Sequence, residues 1–258
     1  MKFSQRVTVV LSAFAVLWVS AVGAHESVGA KGLAGASGMV RADGLKAMAG
    51  DGPSGDAQVG RAKVLVIGDS VFTAFDHVPS ARKLMNEQQP TIFAVQGCQK
   101  LVDEGCLASV KLSALDQLKK HAGKFSDVVV IGTGYNDRIG TAFRQAVLAI
   151  TTEAQSQGVD VVWVTYRQIG HVRGNSTTRN KQLAKLAENV PNLSLADWNS
   201  FSEGKEKSGW FRDDKIHLVT PGANGLARLL NEAVGVVVAQ REAERAAANL
   251  TTTTTISG

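Results

Sequence analysis

The chain has 258 residues, of which 44% are hydrophobic and 20% charged, so it can bury a full core and we expect one folded domain. Its formal net charge of +5 comes from basic residues that are scattered among acidic ones rather than gathered in a stripe. That distribution argues against nucleic acid as a partner.

The N-terminal segment has the pattern of a secretory signal. Lys2 and Arg6 form a short basic start, residues 7–22 are mainly apolar, and small residues end the segment at Ala24. We predict a cleaved signal peptide over residues 1–24 and hence a secreted or cell-envelope location. The alternative is an uncleaved membrane anchor, but the apolar stretch is shorter than the roughly 20 residues that a spanning helix needs. No other stretch is apolar enough, so we expect no stable membrane span after cleavage.

Two segments flank the expected domain. Residues 25–60 are dominated by Gly, Ala and Ser, and they carry too few large apolar side chains to offset the entropy of ordering. We predict a flexible linker there. A charged helical extension is predicted from Gln240, and residues 249–258, with five consecutive threonines, predict a frayed end. The domain is therefore placed at residues 61–240 and the charged, Thr-rich tail at 241–258.

Between these segments, short apolar runs alternate with stretches of helical spacing. The runs are long enough for strands buried on both faces but too short for helices. Their order predicts a five-stranded parallel sheet between two helix layers, a three-layer α/β/α flavodoxin-like fold. The predicted strands are 64–67, 91–95, 128–131, 161–165 and 193–196. The predicted helices are 79–86, 109–121, 140–157, 176–188 and 221–239.

The first strand ends at a candidate nucleophile. In such a sheet, ligands bind beyond the carboxyl ends of the strands where the strand order reverses, here between strands one and three. Gly68, Asp69 and Ser70 follow the first strand, and a helix is predicted directly after them. A serine at a helix N-terminus has free backbone N–H groups nearby for a developing oxyanion. The alternative is an ordinary helix cap, because Asp and Ser are common capping residues.

The third strand ends in a loop rich in Gly, Asn and Asp, over residues 132–137. Its Asn136 side chain is a suitable oxyanion donor if the loop approaches Ser70. The alternative is a simple turn. A dinucleotide fingerprint starting at Gly132 is not supported, because Asp137 stands where its third glycine belongs. We therefore expect no cofactor.

Of five histidines, one has a context suited to a general base. His217 lies in the loop before the last predicted helix, and Asp214 precedes it by three residues, so in a tight turn both side chains face the same way. The carboxylate can then hold the Nδ1 proton while Nε2 faces Ser70. An isolated Asp and His at this spacing usually belong to a solvated loop. The prediction therefore depends on all three motifs occurring together: after the first strand, after the third strand and before the last helix. The histidines with weaker contexts are His25, His77, His121 and His171.

The two cysteines, Cys98 and Cys106, lie eight positions apart in a loop-like segment. In an exported chain the simplest interpretation is one local disulfide. A cysteine nucleophile or a zinc site would need His or further thiol partners that the segment lacks, so we expect no metal.

Together these motifs resemble the SGNH hydrolases, also called GDSL-like esterases and lipases, over roughly residues 62–239. Gly97 takes the place of the glycine that the family contributes after its second strand. Val71 stands where the common signature has leucine, an apolar-for-apolar change. The matching blocks are Ile67-Gly68-Asp69-Ser70, Gly134-x-Asn136-Asp137 and Asp214-x-x-His217.

The resemblance implies a role for each of these residues. Ser70 would be the nucleophile, His217 the general base and Asp214 the acid that orients it. The oxyanion hole would consist of the backbone N–H groups of Ser70 and Gly97 and the side chain of Asn136.

A narrower resemblance concerns the Cys98–Cys106 segment and the Asp197-Trp198 pair, which are similar to stand-alone SGNH domains of bacterial exported proteins, some related to O-acyltransferase machinery. Our leading hypothesis is a secreted, monomeric serine esterase that cleaves acyl or acetyl esters of small molecules or glycans. The alternatives are acyl transfer to a cell-wall or surface polysaccharide, and a catalytically inactive binding domain.

Substrate contacts are harder to assign from the sequence. Arg167, just past the fourth strand, is a candidate for meeting an anionic substrate or for a surface ion pair. Four aromatic residues are candidates for lining an acyl or sugar pocket, although core or loop packing is the simpler interpretation of each. They are Tyr135, Trp198, Trp210 and Phe211.

Overall fold

A computed structural model describes the backbone of residues 62–256 and the side chains up to residue 247. The predicted signal peptide and linker lie outside the described residues. Within them, no helix is both long enough and apolar enough to cross a membrane.

The sheet has five parallel strands, as predicted. Their spatial order is β2-β1-β3-β4-β5, so the strand order reverses between β1 and β3. Parallel strands end at the same edge, so the loops after β1, β2 and β3 emerge side by side. The strands are β1 (Ala62–Gly68), β2 (Thr91–Val95), β3 (Phe125–Gly132), β4 (Asp160–Val164) and β5 (Leu193–Ala196).

Helices cover both faces of the sheet, which completes the predicted three-layer fold. Alternate residues of each strand face opposite layers: Val64 and Val66 pack with α1, α2 and α7, whereas Leu65 and Ile67 pack with α3 and α4. Both faces are therefore apolar, which is why the strands appear in the sequence as continuous apolar runs. The helices are α1 (Ala74–His77), α2 (Pro79–Gln88), α3 (Ala114–Lys120), α4 (Thr141–Ser156), α5 (Arg173–Ala187), α6 (Trp198–Phe201) and α7 (Thr220–Ile256).

Two helix boundaries differ from the prediction. Helix α3 begins at Ala114 rather than at residue 109, because Ser113 and Asp116 form a capping box that fixes its start. Helix α7 continues to Ile256, past the helical extension that was predicted for residues 240–248. Once a helix is nucleated, each further residue adds one hydrogen bond, and this favours continuation.

Ion pairs hold the extension of α7 against the amino ends of the strands. Arg241 Nη1 lies 2.8 Å from the Asp160 carboxylate in β4, and Arg245 pairs with the buried Asp127 of β3. These contacts lie at the edge of the sheet opposite to Ser70, so they bear on stability rather than on the candidate site.

Candidate active site

The turn after β1 is packed against the neighbouring strand through one aromatic ring. A Cβ at Gly68 would lie 2.2 Å from Phe72 Cβ, and one at Gly132 would lie 2.1 Å from the Phe72 ring. Both positions therefore need glycine to let Phe72 sit over the strand ends. The Asp69 N–H donates to the Gly132 carbonyl at 3.3 Å, which fixes Ser70 at the point where β1 and β3 end.

The prediction of a helix directly after Ser70 is wrong. Residues 70–73 form a turn, in which the N–H groups of Phe72 and Thr73 donate to the Asp69 carbonyl and that of Val71 donates to the Asp69 carboxylate at 3.1 Å. Helix α1 begins only at Ala74 and has four residues. A helix dipole at Ser70 is therefore not available, and free N–H groups must supply any anion stabilisation.

The structure brings Ser70, His217 and Asp214 into one hydrogen-bonded line. His217 Nε2 lies 2.9 Å from Ser70 Oγ, and His217 Nδ1 lies 2.6 Å from Asp214 Oδ2. Ser70 and His217 are 147 positions apart in the sequence, so only the fold creates the contact. The contact between Asp214 and His217 is the one that their spacing of three residues predicted.

Asp214 also organises the loop on which it lies. Its Oδ1 accepts the backbone N–H groups of Ile216 at 2.8 Å and of His217 at 2.9 Å. Partial burial acts to raise the pKa of Asp214, but these hydrogen bonds and the His217 imidazole outweigh it, and the pKa is lowered. The carboxylate is therefore ionised at neutral pH and able to hold the Nδ1–H proton.

We call residues 211–218 the base loop. Phe211 and Leu218 pair in an antiparallel bridge, and the Arg212 N–H donates to the His217 carbonyl at 2.8 Å, so the loop is closed at its base. The preceding Trp210 packs on α7 through Gly225, where a Cβ would lie 2.4 Å from the indole ring. The start of the last helix thereby sets the position of the base loop.

The loops after β2 and β3, residues 96–101 and 132–137, form the other side of the site, and we call them the donor loops. The Gln96 N–H donates to the Gly68 carbonyl at 2.9 Å, which places Gly97 beside the Ser70 turn. Among the described residues, the backbone N–H groups of Ser70 and Gly97 donate to no protein acceptor. Both remain available to an oxyanion.

One carbonyl holds the Asn136 amide in place. Asn136 Nδ2 donates to the Gln99 carbonyl at 3.2 Å, and Thr133 Oγ1 donates to the same oxygen at 2.9 Å. An amide carries two N–H donors, so the second one of Asn136 stays free. Gln99 lies next to Cys98, which is paired with Cys106 in a disulfide, as predicted.

Two carboxylates link the loops around Ser70: Asp69, which is buried, and Asp137 of the donor loops, which is half-buried. Burial raises the pKa of Asp69 to about 7 against the lowering effect of the Val71 and Tyr135 backbone N–H groups. Burial also raises the pKa of Asp137 to about 6, although its two oxygens accept the Leu101 N–H at 3.1 and 3.2 Å. Both groups connect neighbouring loops through backbone donors.

A cavity of about 530 Å³ opens onto Ser70 and His217. Its apolar wall includes Ala74, Val78 and Leu218, and an acyl chain can pack there. Its polar lining residues are Thr73, His77, Arg212 and Thr220.

The aromatic candidates lie elsewhere. Trp198 is 2% exposed and belongs to the core, where Trp210 stacks on it at 6.1 Å between ring centroids. Phe211 is buried, and the Tyr135 hydroxyl accepts the Arg167 backbone N–H at 2.8 Å. All four therefore serve packing or loop structure, and none lines the cavity at Ser70.

Sequence reasoning missed several contributors. Gln99 accepts hydrogen bonds through its backbone carbonyl, which every residue has, so its residue type gives no signal for this role. His77 and Arg212 line the cavity. The only sequence feature that could have indicated this is that they lie near the motifs containing Ser70 and His217. Arg167 is buried rather than exposed, because a carboxylate and two hydrogen-bond acceptors surround it.

The fold and this site together define an α/β sandwich with a Ser-His-Asp line at the switch point of its sheet. No family model and no curated protein matches the sequence. The chain has the SGNH hydrolase fold, because solved structures of that group superimpose on it.

Three of these structures illustrate the match. The C-terminal catalytic domain of peptidoglycan O-acetyltransferase A from Streptococcus pneumoniae aligns with a TM-score of 0.53 and 18% identity, covering 69% of this chain and 94% of that domain. TesA aligns with a TM-score of 0.54 and 18% identity, over 68% and 99% of the two chains. A GDSL-like lipase from Bacteroides thetaiotaomicron aligns at 0.52 and 12% identity, over 67% and 87%.

Proposed function

We propose that this protein is a serine esterase that cleaves carboxylic esters through an acyl-enzyme on Ser70. The observation that carries the proposal is the continuous line from Asp214 through His217 to Ser70, with 2.6 and 2.9 Å between the paired atoms. A weakly nucleophilic hydroxyl needs an adjacent base that is itself oriented by a third group. The same complete set argues against an inactive binding domain.

The reaction follows from the position of each donor and acceptor. His217 Nε2 takes the hydroxyl proton as Ser70 Oγ attacks the ester carbon, and Asp214 stabilises the resulting imidazolium. The carbonyl oxygen becomes an anion that accepts hydrogen bonds from the Ser70 and Gly97 N–H groups and the free N–H of Asn136. The C–O bond to the alcohol then breaks, and His217 returns its proton to the leaving oxygen. Water attacks the acyl-enzyme in the same way and releases the acid.

A fluorophosphonate probe tests the nucleophile without knowledge of the substrate. We expect the label on the peptide that contains Ser70, and we expect hydrolysis of p-nitrophenyl acetate by the same preparation. The Ser70→Ala variant should lose both, with a rate reduction on the order of 10⁴-fold. Labelling at another residue, or an undiminished rate, would rule the proposal out. Ser80→Ala, at an exposed serine in α2, is the matched control.

A second candidate is acyl transfer from Ser70 to a sugar hydroxyl. It is favoured by a polar cavity of about 620 Å³ at the carboxyl ends of β4 and β5. Among its lining residues are Gln168, Arg173, Thr177, Asn199 and Glu203, which suit hydroxyl groups. Incubation with an acetylated donor, with and without a glycan acceptor, distinguishes the two functions by the fate of the acyl group. Hydrolysis releases it as the free acid in both cases, whereas transfer yields an acylated glycan when the acceptor is present.

We also propose that the protein acts outside the cytoplasm. The predicted signal at residues 1–24 and the Cys98–Cys106 disulfide support this location, because disulfides persist in oxidising compartments. N-terminal sequencing of protein recovered from the medium or cell envelope should begin at His25. Recovery from the cytoplasm alone contradicts the proposal, whereas an intact Met1 on envelope protein would indicate the uncleaved anchor.

A further inference from the structure

One buried arginine lies directly behind the base loop. The Arg167 side chain is 4% exposed and pairs with the Glu206 carboxylate, while Nε donates to Ser202 Oγ at 2.9 Å. Its guanidinium carbon lies 3.7 Å from the centre of the Phe211 ring, the first residue of the base loop. Its Nη1 donates to the backbone carbonyl of Lys215. The guanidinium therefore contacts the base loop at two points.

Lys215 is the position of the base loop that most needs support. It lies between Asp214 and His217 and has a φ of +61°, which is rare for a residue other than glycine. A non-glycine side chain in this left-handed region is sterically strained, so the surrounding contacts must compensate. The Lys215 N–H donates to the Arg212 carbonyl at 2.8 Å, and the Lys215 carbonyl is held by Arg167.

All three side-chain nitrogens of Arg167 are engaged by the protein. Nε binds Ser202 Oγ, Nη1 binds the Lys215 carbonyl, and Nη2 binds Glu206 and, at 3.4 Å, the Ser202 carbonyl. Arg167 also lines the polar cavity of about 620 Å³, but the partners of its guanidinium in this structure are protein groups. The contact that the structure shows is therefore the one to the base loop.

We propose that Arg167 is a positioning residue for the proposed reaction: through the Lys215 carbonyl and the Phe211 ring, it fixes the turn that aligns Asp214 with His217. Glu206 serves it by neutralising the buried guanidinium. Arginine suits the task because its planar fork reaches two acceptors at once, which an ammonium group does not reproduce. The expected change in kcat rests on the proposed function, whereas the expected effect on the geometry of the base loop does not.

The test compares Arg167→Met and Arg167→Lys with Arg241→Met. Arg241 is a matched control because it also pairs with a carboxylate and a backbone carbonyl, but at the opposite edge of the sheet. We expect kcat for p-nitrophenyl acetate to fall on the order of 100-fold in Arg167→Met, since small misplacements of a base have effects of this size. KM should change less than threefold. Arg167→Lys should recover little of the loss, and Arg241→Met should lower only stability.

A second measurement does not depend on activity. In ¹⁵N-histidine-labelled protein, the Nδ1–H of His217 that is bonded to Asp214 should give a downfield proton resonance protected from exchange. We expect the resonance to be lost in Arg167→Met and retained in Arg241→Met. If Ser70→Ala leaves hydrolysis intact, the proposed function fails, but the resonance still decides the role of Arg167.

A retained resonance together with an unchanged kcat in Arg167→Met would overturn the inference. So would a loss of kcat that Arg241→Met reproduces at equal stability. If Arg167→Met does not fold, Glu206→Gln provides the test, because it keeps the shape of the pocket and removes only the charge that holds Arg167. We then expect a smaller fall in kcat, about tenfold, in the same direction.

Discussion

The two sides of Ser70 are built in different ways. The donor loops are joined to each other by hydrogen bonds through Gln99 and Asp137, and the disulfide adjoins them. In the base loop, by contrast, the side chains of His217 and Asp214 are 38% and 39% exposed, and one buried arginine supports the turn between them. The difference matches the tasks: N–H donors act best when they cannot move, whereas a base must stay open to the leaving group and to water.

The largest expected effect belongs to the exposed side. His217→Gln should reduce kcat on the order of 10⁴-fold, because no other base lies against Ser70 Oγ in the described residues. The melting temperature should hardly change, since the side chain is more than a third exposed. An unchanged rate or a large loss of stability in His217→Gln would contradict this division of roles.

On the donor side, Asn136→Ala should reduce kcat by about 10²- to 10³-fold, because one oxyanion donor is removed. Asn192→Ala is the control: its amide binds the Thr151 carbonyl at 2.9 Å near the amino end of β5. That variant should lose stability and retain its rate. Equal rates in the two variants would remove Asn136 from the proposed oxyanion hole.

The buried carboxylate beside Ser70 should make stability depend on pH. Burial raises the pKa of Asp69 from 3.8 to about 7, so between these values the folded protein binds a proton that the unfolded chain does not. This contribution is fully present below about pH 4, and it is lost as pH rises to 7, with a limiting slope of about 1.4 kcal/mol per pH unit. Urea unfolding should show a flatter profile for Asp69→Asn, whereas Asp76→Asn, at an exposed aspartate, should follow the unmodified protein.

The smallest effect on rate is expected for the disulfide. Replacing Cys98 and Cys106 by serine should lower the free energy of unfolding by about 2.5 kcal/mol in the chain-entropy model of a loop this short. The hydrogen bonds of Gln99 remain, so kcat should fall less than in Asn136→Ala. Unfolding curves and initial rates of the double variant measure both quantities. A rate loss as large as that of Asn136→Ala would mean that the disulfide, and not the hydrogen bonds, fixes the donor loops.

Much of this molecule follows from local rules. Val64–Ile67 and Val128–Ile131 are apolar on both faces, which predicts parallel strands, and the rule for switch points then brings Ser70 and Asn136 to one edge. The spacing of Asp214 and His217 predicts their contact. These predictions succeed because the residue type itself carries the signal.

Other features depend on contacts between distant segments. Whether Arg167 faces solvent or pairs inside the fold depends on Glu206, a partner 39 positions away, and no local pattern contains that information. The turn after Ser70 replaced the predicted helix because Phe72 packs over two glycines from different strands. The start of α3, by contrast, could have been predicted from the sequence, because Ser113 and Asp116 form a recognisable capping box.

Helix α7 has a consequence for the order in which the protein can fold. Its apolar residues, such as Leu226 and Leu230, fill the same core as Val66 and Val130 of the sheet. A ribosome makes this helix after all five strands, so until then only α1 and α2 can cover this face of the sheet. We therefore expect this core to be completed only when α7 has left the ribosome and can pack against the strands.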